Sequence, residues 1–279
     1  MKKLGIIIDS FSGLTEEQAT KLGFKFLPLQ VEIDGKVYED GVADHLEVLH
    51  KLAQAKTFLS SLPKIESIER TVKEAASEFE NVLVITLNDS LSSTSRFIRN
   101  FAENYSNIHV ISNHFSGIQV LNVAKYALRL AESGETVPNI IAQIEKINQD
   151  SYTLLVPKNM DYMIKGGRLT GIKKFIMTKI TMVPVLAYDV NGQVAPVALK
   201  RTLKGAINKC VTKAKEYGET IKNPDFNWMH GIDAEINELV LQDAAANGIT
   251  LTNEQNTSSV IAIHTGPEAF SITVMPKLD

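Results

Sequence analysis

The feature that most restricts the fold is a pattern used three times in the first half of the chain. An unbroken apolar run ends in a hydroxyl-rich loop, and a helical pattern follows. Residues 4–9 lead into Ser10-Phe11-Ser12-Gly13. Residues 82–87 lead into Asn88-Asp89-Ser90-Leu91-Ser92-Ser93-Thr94, and residues 108–111 lead into the polar stretch 112–117. A strand that is apolar at every position is buried on both faces, the condition of a parallel sheet covered by helices. Alternation with helices makes these βαβ units of an α/β fold. In open sheets of that kind ligands bind at the carboxyl ends of the strands. None of the three loops is a glycine-rich phosphate fingerprint. They offer hydroxyls instead.

Around this frame the local signals are ordinary. Thr15 with Gln18 predicts a capping box for a short helix ending at Gly23. Residues 24–33 read as extended, with Pro28 favouring an edge and Asp34-Gly35 a hairpin turn. Asp44 with Glu47 starts a helix that carries Leu46, Leu49 and Leu52. Ser60-Ser61-Leu62-Pro63 is expected as a loop before a helix over 65–79. A helix over 137–149 precedes a change of character. Strands are expected over 152–156, 226–230 and 249–253, a hairpin over 180–190 and 193–199 across Asn191-Gly192, and helices over 202–217 and 233–247. The last stretch, 258–272, reads as a β-branched strand (Val260, Ile261, Ile263) that stops at His264. It then turns through Thr265-Gly266-Pro267 and resumes. This second half is an α+β pattern with hairpins, and the boundary falls near residue 152. The expected domains are 1–152, a Rossmann-like parallel-sheet α/β unit, and 153–279, with a mostly antiparallel sheet.

Composition excludes several classes. The chain has 279 residues, 44% hydrophobic and 22% charged, which is globular and long enough for two domains. A net charge of −3 gives no field that favours nucleic acid. The single Cys210 excludes an internal disulfide and a multi-cysteine zinc site, and reads as a small core residue. The apolar run after Lys3 is too short for a signal peptide, and no apolar stretch is long enough to span a bilayer. The expectation is a cytoplasmic protein.

No nucleophile elbow, H-E-x-x-H pair, Walker loop or kinase signature is present, so neither a catalytic constellation nor a metal or cofactor is expected. Asp9, at a strand end, suits either a metal or local backbone N–H groups. What remains is a set of neutral donors: Ser60, Ser61, Ser92, Ser93, Thr94 and His264. Singly, each also reads as a cap or turn residue. Together they suit one carboxylate, bound without a buried ion pair.

Several short elements recur in one order and cover essentially the whole chain. They are Asp9-Ser10-Phe11-Ser12-Gly13-Leu14, Ser60-Ser61-Leu62-Pro63, Leu91-Ser92-Ser93-Thr94, Met163-Ile164-Lys165-Gly166-Gly167-Arg168-Leu169-Thr170, Lys200-Arg201, His230-Gly231 and Ile263-His264-Thr265-Gly266-Pro267. In these the chain resembles the DegV family of fatty-acid-binding proteins. The Gly-Gly-Arg and His-Thr-Gly-Pro elements are the most specific. The resemblance implies two α/β domains with a lipid tunnel between them. It also implies a carboxylate held by Ser60, Ser92 and His264, with Ser61 and Thr94 in support. It further implies a carrier, not an enzyme, that presents a long-chain fatty acid to a separate fatty acid kinase for conversion to acyl-phosphate. Arg168 and Arg201 are then candidates for contact with the kinase, phosphate or anionic membrane, and residues 173–177 mix basic and apolar side chains as a membrane-touching lid would. Burial of the chain supplies about 0.8 kcal/mol per methylene, roughly 10 kcal/mol gross for a common fatty acid, and the polar head fixes direction.

The chain departs from the family pattern in places. Ser60 stands for the usual threonine, Lys64 for a small polar residue, Ser93 for the glycine of the L-S-G-T loop, Gly13 for an acidic residue, and Ser112-Asn113 for Asp-Ser. Two rival readings come from the enzyme class. One is a small-molecule kinase subunit of the dihydroxyacetone kinase type, with substrate held on a histidine. The other is a hydrolase using Ser92 and His264.

Overall fold

The computed structural model describes residues 2–166 and 182–278. Strands β1 (Lys2–Asp9), β2 (Lys25–Leu27), β6 (Phe79–Ile85) and β7 (Ile108–Val110) form a parallel sheet in the order β2-β1-β6-β7. The unbroken apolar runs have the expected cause. Ile6, Ile8, Leu83 and Ile85 pack under α5 (Ile118–Glu132) and α6 (Val137–Gln149). Ile7, Val82 and Val84 face the other way, against α3 (Ile65–Glu78) and α4 (Thr94–Ala102). With both faces covered, the central positions of β1 and β6 are apolar on both sides, and polar residues fall at the strand ends.

The caps are local and correctly placed. In α1 (Glu16–Lys21), Gln18 N–H donates to Thr15 Oγ1 at 3.1 Å while Thr15 N–H donates to Gln18 Oε1 at 2.9 Å. Asp44 caps α2 (His45–Ala53) through Glu47 N–H at 2.8 Å. The extended segment 24–33 divides at Pro28-Leu29: β2 joins the parallel sheet, and β3 (Gln30–Ile33) joins a small antiparallel sheet in the order β4-β3-β5. Its partners are β4 (Lys36–Glu39) and β5 (Phe58–Ser61).

The rest of the chain builds a six-stranded sheet in the order β10-β9-β8-β13-β11-β12. Its strands are β8 (Tyr152–Val156), β9 (Val183–Tyr188), β10 (Val194–Lys200), β11 (Pro224–His230), β12 (Leu251–Asn256) and β13 (Phe270–Pro276). All neighbours pair antiparallel except β11 with β12. One face, with Leu154, Val185, Ile272 and Val274, packs on α8 (Leu203–Gly218) and α9 (Ala234–Ala246). Cys210 lies in that core as a free, buried thiol. The opposite face looks toward the loops of the parallel sheet. Between α6 and β9 the described residues include the short helix α7 (Asp161–Gly166). Among the described residues no helix is long and apolar enough to cross a membrane.

Two expectations fail. The stretch 258–263 is not a strand: Ser259–Thr265 forms a helix, α10, and only the second apolar run, β13, is extended. Val260, Ile261 and Ile263 are all buried, so the run has no alternation to separate strand from helix. The deciding contacts are polar. Ser258 Oγ accepts from Ile261 N–H at 3.4 Å, and Asp40 Oδ1 accepts from Ser259 N–H at 2.9 Å, so helix donors that would otherwise be orphaned are satisfied. Ser60 and Ser61 are also not in a loop; they end β5, with Ser60 opposite Val31 and Ser61 opposite Gln30.

Among several side-chain contacts between the parallel-sheet part and the six-stranded-sheet part, one is made by Gln255. Gln255, on β12, donates from Nε2 to the Ser12 carbonyl at 3.0 Å. Two glycines make room for it. Gly13, with φ +72°, would place a Cβ 2.5 Å from the Gln255 amide, and Gly117, with φ +55°, would place one 2.9 Å from Oε1. An acidic residue at position 13 would therefore be strained and would displace Gln255.

Candidate functional site

A cavity of about 440 Å³ lies between the carboxyl-end loops of the parallel sheet, the end of β5, helix α10 and the inner face of the six-stranded sheet. That is within the usual range of ligand pockets, about 300–1,000 Å³. Its walls are largely aliphatic and aromatic, including Phe11, Leu29, Leu87, Leu155, Met163 and Met229.

At the less buried end, three chain segments bring hydroxyls and an imidazole together. Ser60 Oγ and His264 Nε2 share a hydrogen bond of 2.8 Å. His264 stands in the last turn of α10, where Thr265 Oγ1 donates back to Ile261 O at 3.0 Å. Gly166, at the end of α7, lets that helix lie against the imidazole, because a Cβ there would be 2.4 Å from His264 Nδ1. Ser92 and Ser93 line the same cavity from the loop after β6. Ser92 Oγ and Thr94 Oγ1 share a hydrogen bond of 2.9 Å, and Ser92 Oγ also accepts from Thr94 N–H at 3.2 Å. Thr94 is fully buried and stands behind Ser92 rather than in the cavity wall. Ser61 is exposed at the rim and directs its hydroxyl at Gln30 Oε1, 3.4 Å away.

Two buried carboxyls brace this arrangement. Asp40 holds the start of α10, and burial pushes its pKa up to about 6. Asp9 Oδ2 accepts from Leu87 N–H at 2.9 Å, which fixes the start of the loop that carries Ser92; burial pushes Asp9 up to about 7. The backbone-binding reading of Asp9 is thus the geometry observed. No group of metal-ligating side chains occurs among the described residues.

Other candidates fall elsewhere. Arg201 is exposed after β10 and does not line the cavity. Arg168 and the 173–177 segment lie outside the described residues. Reading the sequence also missed residues. Ser116, Thr153, Tyr188 and Ser271 line the cavity and are all buried. Thr153 pairs with Tyr188 across β8–β9 and with Thr273 across β8–β13, so these side chains share the inner face. The available signal was polar residues alternating with the apolar core positions Leu154 and Ile272, a pattern shared by any half-exposed strand.

This architecture is found in known proteins. A DegV domain-containing protein of Mycoplasmopsis pulmonis is 27% identical over 286 residues, covering 99% of this chain and 96% of that protein. The structure described as fatty acid binding of a DegV family protein from Thermus thermophilus superposes with a TM-score of 0.87 at 23% identity, covering 98% of this chain and 99% of the other. A fatty acid binding DegV family protein from Streptococcus agalactiae gives a TM-score of 0.88 at 22% identity, covering 99% and 100%. The family model described as "Uncharacterised protein, DegV family" matches residues 3–277, and the chain belongs to the DegV family.

Proposed function

We propose that this protein binds a long-chain fatty acid in the cavity and presents it, as a carrier, to a separate fatty acid kinase. The observation that carries the reading is the joining of one polar cluster (Ser60, Ser92 and His264) to one apolar cavity of about 440 Å³. The fatty acids bound by the two structural relatives support it. The acyl chain occupies the apolar walls. The carboxylate accepts from Ser60, Ser92 and His264, with Ser61 at the rim and Thr94 orienting Ser92. A buried carboxylate without such donors would cost several kcal/mol, so converging donors are what the head group needs. Because this cluster is the less buried end of the cavity, the carboxylate stays within reach of a phosphoryl-transfer partner. Arg201 and Arg168 serve that partner, its phosphates or an anionic membrane surface. The protein works in the cytoplasm and requires no cofactor.

Extraction of the purified protein followed by mass spectrometry is expected to yield a fatty acid. Added hexadecanoate or oleate, supplied with a fatty acid kinase and ATP, is expected to become acyl-phosphate. A protein that is repeatedly empty and ignores both acids overturns the reading.

One observation favours a second reading. Ser60 Oγ at 2.8 Å from His264 Nε2 is the spacing of a nucleophile and its base. The pair involves Ser60; Ser92, the nucleophile expected from the sequence for a hydrolase, is engaged with Thr94. Labelling of Ser60 by a fluorophosphonate probe would favour a hydrolase over a carrier.

A further inference from the structure

Away from the rim cluster, part of the cavity wall is both buried and polar. Tyr188 and Ser271 line it and are 4% and 2% exposed. Among the described residues, neither Tyr188 OH nor Ser271 Oγ has a hydrogen-bond partner. Thr153 adds a third hydroxyl, engaged only with Gln119 Oε1 at 3.3 Å, and Ser116 a fourth. Behind them, Gln119 Nε2 and Thr273 Oγ1 are also buried and have no partner among the described residues. The cavity thus carries a second, buried set of hydroxyls besides the partly exposed cluster of Ser60, Ser92 and His264.

A plain hydrocarbon tail does not fit that wall. Buried polar groups in folded proteins are almost always hydrogen-bonded, and a methyl terminus leaves Tyr188 and Ser271 unpaired. We propose that these buried wall hydroxyls receive a neutral oxygen function carried on the acyl chain, so that the preferred ligand is a hydroxylated long-chain acid. The inference rests on the fatty-acid reading of the cavity and specifies which acids fill it. A hydroxyl both donates and accepts, which matches the Tyr and Ser hydroxyls that meet it. A second carboxylate does not match. Asp9 and Asp189 already lie close enough to act on Tyr188, and no cation lines this part of the cavity among the described residues.

The test is a calorimetric panel on the full-length, delipidated protein: hexadecanoic acid, hexadecanedioic acid, and hexadecanoic acids hydroxylated at successive positions from mid-chain to the terminal carbon. At least one hydroxy acid is expected to bind about tenfold more tightly than hexadecanoic acid, and hexadecanedioic acid less tightly than that hydroxy acid. In Tyr188→Phe and Ser271→Ala, with folding checked by circular dichroism, the ratio is expected to fall toward one. Hexadecanoic acid binding as tightly as every hydroxy acid overturns the inference and leaves the fatty-acid reading standing. A hydroxy-acid preference that survives both substitutions, or a stronger preference for the diacid, also overturns it. Failure of every acid to bind overturns the fatty-acid reading and this inference with it.

Discussion

The two polar clusters of the cavity are made by opposite means. The rim cluster comes from the ends of elements: the last turn of α10, the end of β5 and the loop after β6. Its side chains are paired with one another, Ser60 with His264 and Ser92 with Thr94. The inner cluster is carried mainly by paired strands of the six-stranded sheet, with Tyr188 on β9, Ser271 on β13 and Thr153 on β8, and among the described residues the hydroxyls of Tyr188 and Ser271 are unpaired. A paired set is held in one geometry before a ligand arrives, and a ligand must exchange with bonds already made. An unpaired set gains from any partner that can reach it. The rim therefore sets where a head group sits, and the inner cluster discriminates among chains.

The carboxyls that brace the two clusters should give the largest effect. Asp40 holds the helix of the rim histidine, and Asp9 holds the loop at Leu87 and lies close to Tyr188. Burial raises both, Asp40 to about 6 and Asp9 to about 7, from an ordinary 3.8. A carboxyl raised in the folded state binds protons more tightly there than when unfolded. Its contribution is therefore complete below about pH 4 and is lost as pH rises through about 6 to 7. Urea denaturation should show stability from this source falling by a few kcal/mol across that window. Asp9→Asn, which keeps an acceptor for Leu87 N–H, should flatten the upper part of the slope, and Asp40→Asn the lower. An unchanged slope in both would mean that neither carboxyl titrates there.

Next comes the rim. His264→Ala should weaken hexadecanoate binding by about 10- to 100-fold, the value of a hydrogen bond to a charged group. Ser60→Ala and Ser92→Ala, each removing one hydroxyl donor to the same carboxylate, should cost about tenfold in the same titration, the low end of that range. Full affinity in all three would move the carboxylate away from the rim. The smallest effect is expected behind the inner wall. Thr273→Val removes an unpartnered buried hydroxyl at constant shape, so stability should stay within about 1 kcal/mol of the parent or rise. A large loss would show that Thr273 is satisfied after all and that the contrast between the clusters is weaker than drawn.

The same contrast explains what was legible in the sequence. The strands buried on both faces announce themselves by unbroken apolar runs, and the caps at Thr15 and Asp44 are encoded within a few residues. The rim residues were visible because hydroxyls and a histidine at segment ends stand out. The secondary structure beneath two of them was misread. Helix α10 has one local signal, the N-cap Ser258, and otherwise depends on Asp40, 219 residues from the N–H it accepts. Ser60 is in a strand because β3 pairs with β5. The inner cluster was not legible at all. Thr153 and Ser271 sit at positions that would face solvent in an isolated sheet, and only the register of β8 and β13 and the packing of that face make them neighbours in a cavity.

The Gln255 contact has a consequence for how the chain comes to be made. Ser12 and Gln255 are 243 residues apart, and the Ser60–His264 bond spans 204. Neither can close before residues 255 and 264 have been synthesised. Until then the parallel sheet, whose strands are finished early, waits with one apolar wall of the cavity open to water. Contacts of such long range form late and slowly, and the interval before they form is when a nascent chain is most open to aggregation. A substitution at Gly13 or Gly117 that keeps Gln255 from seating should therefore lower the yield of native protein more than it lowers the melting temperature of the molecules that do fold.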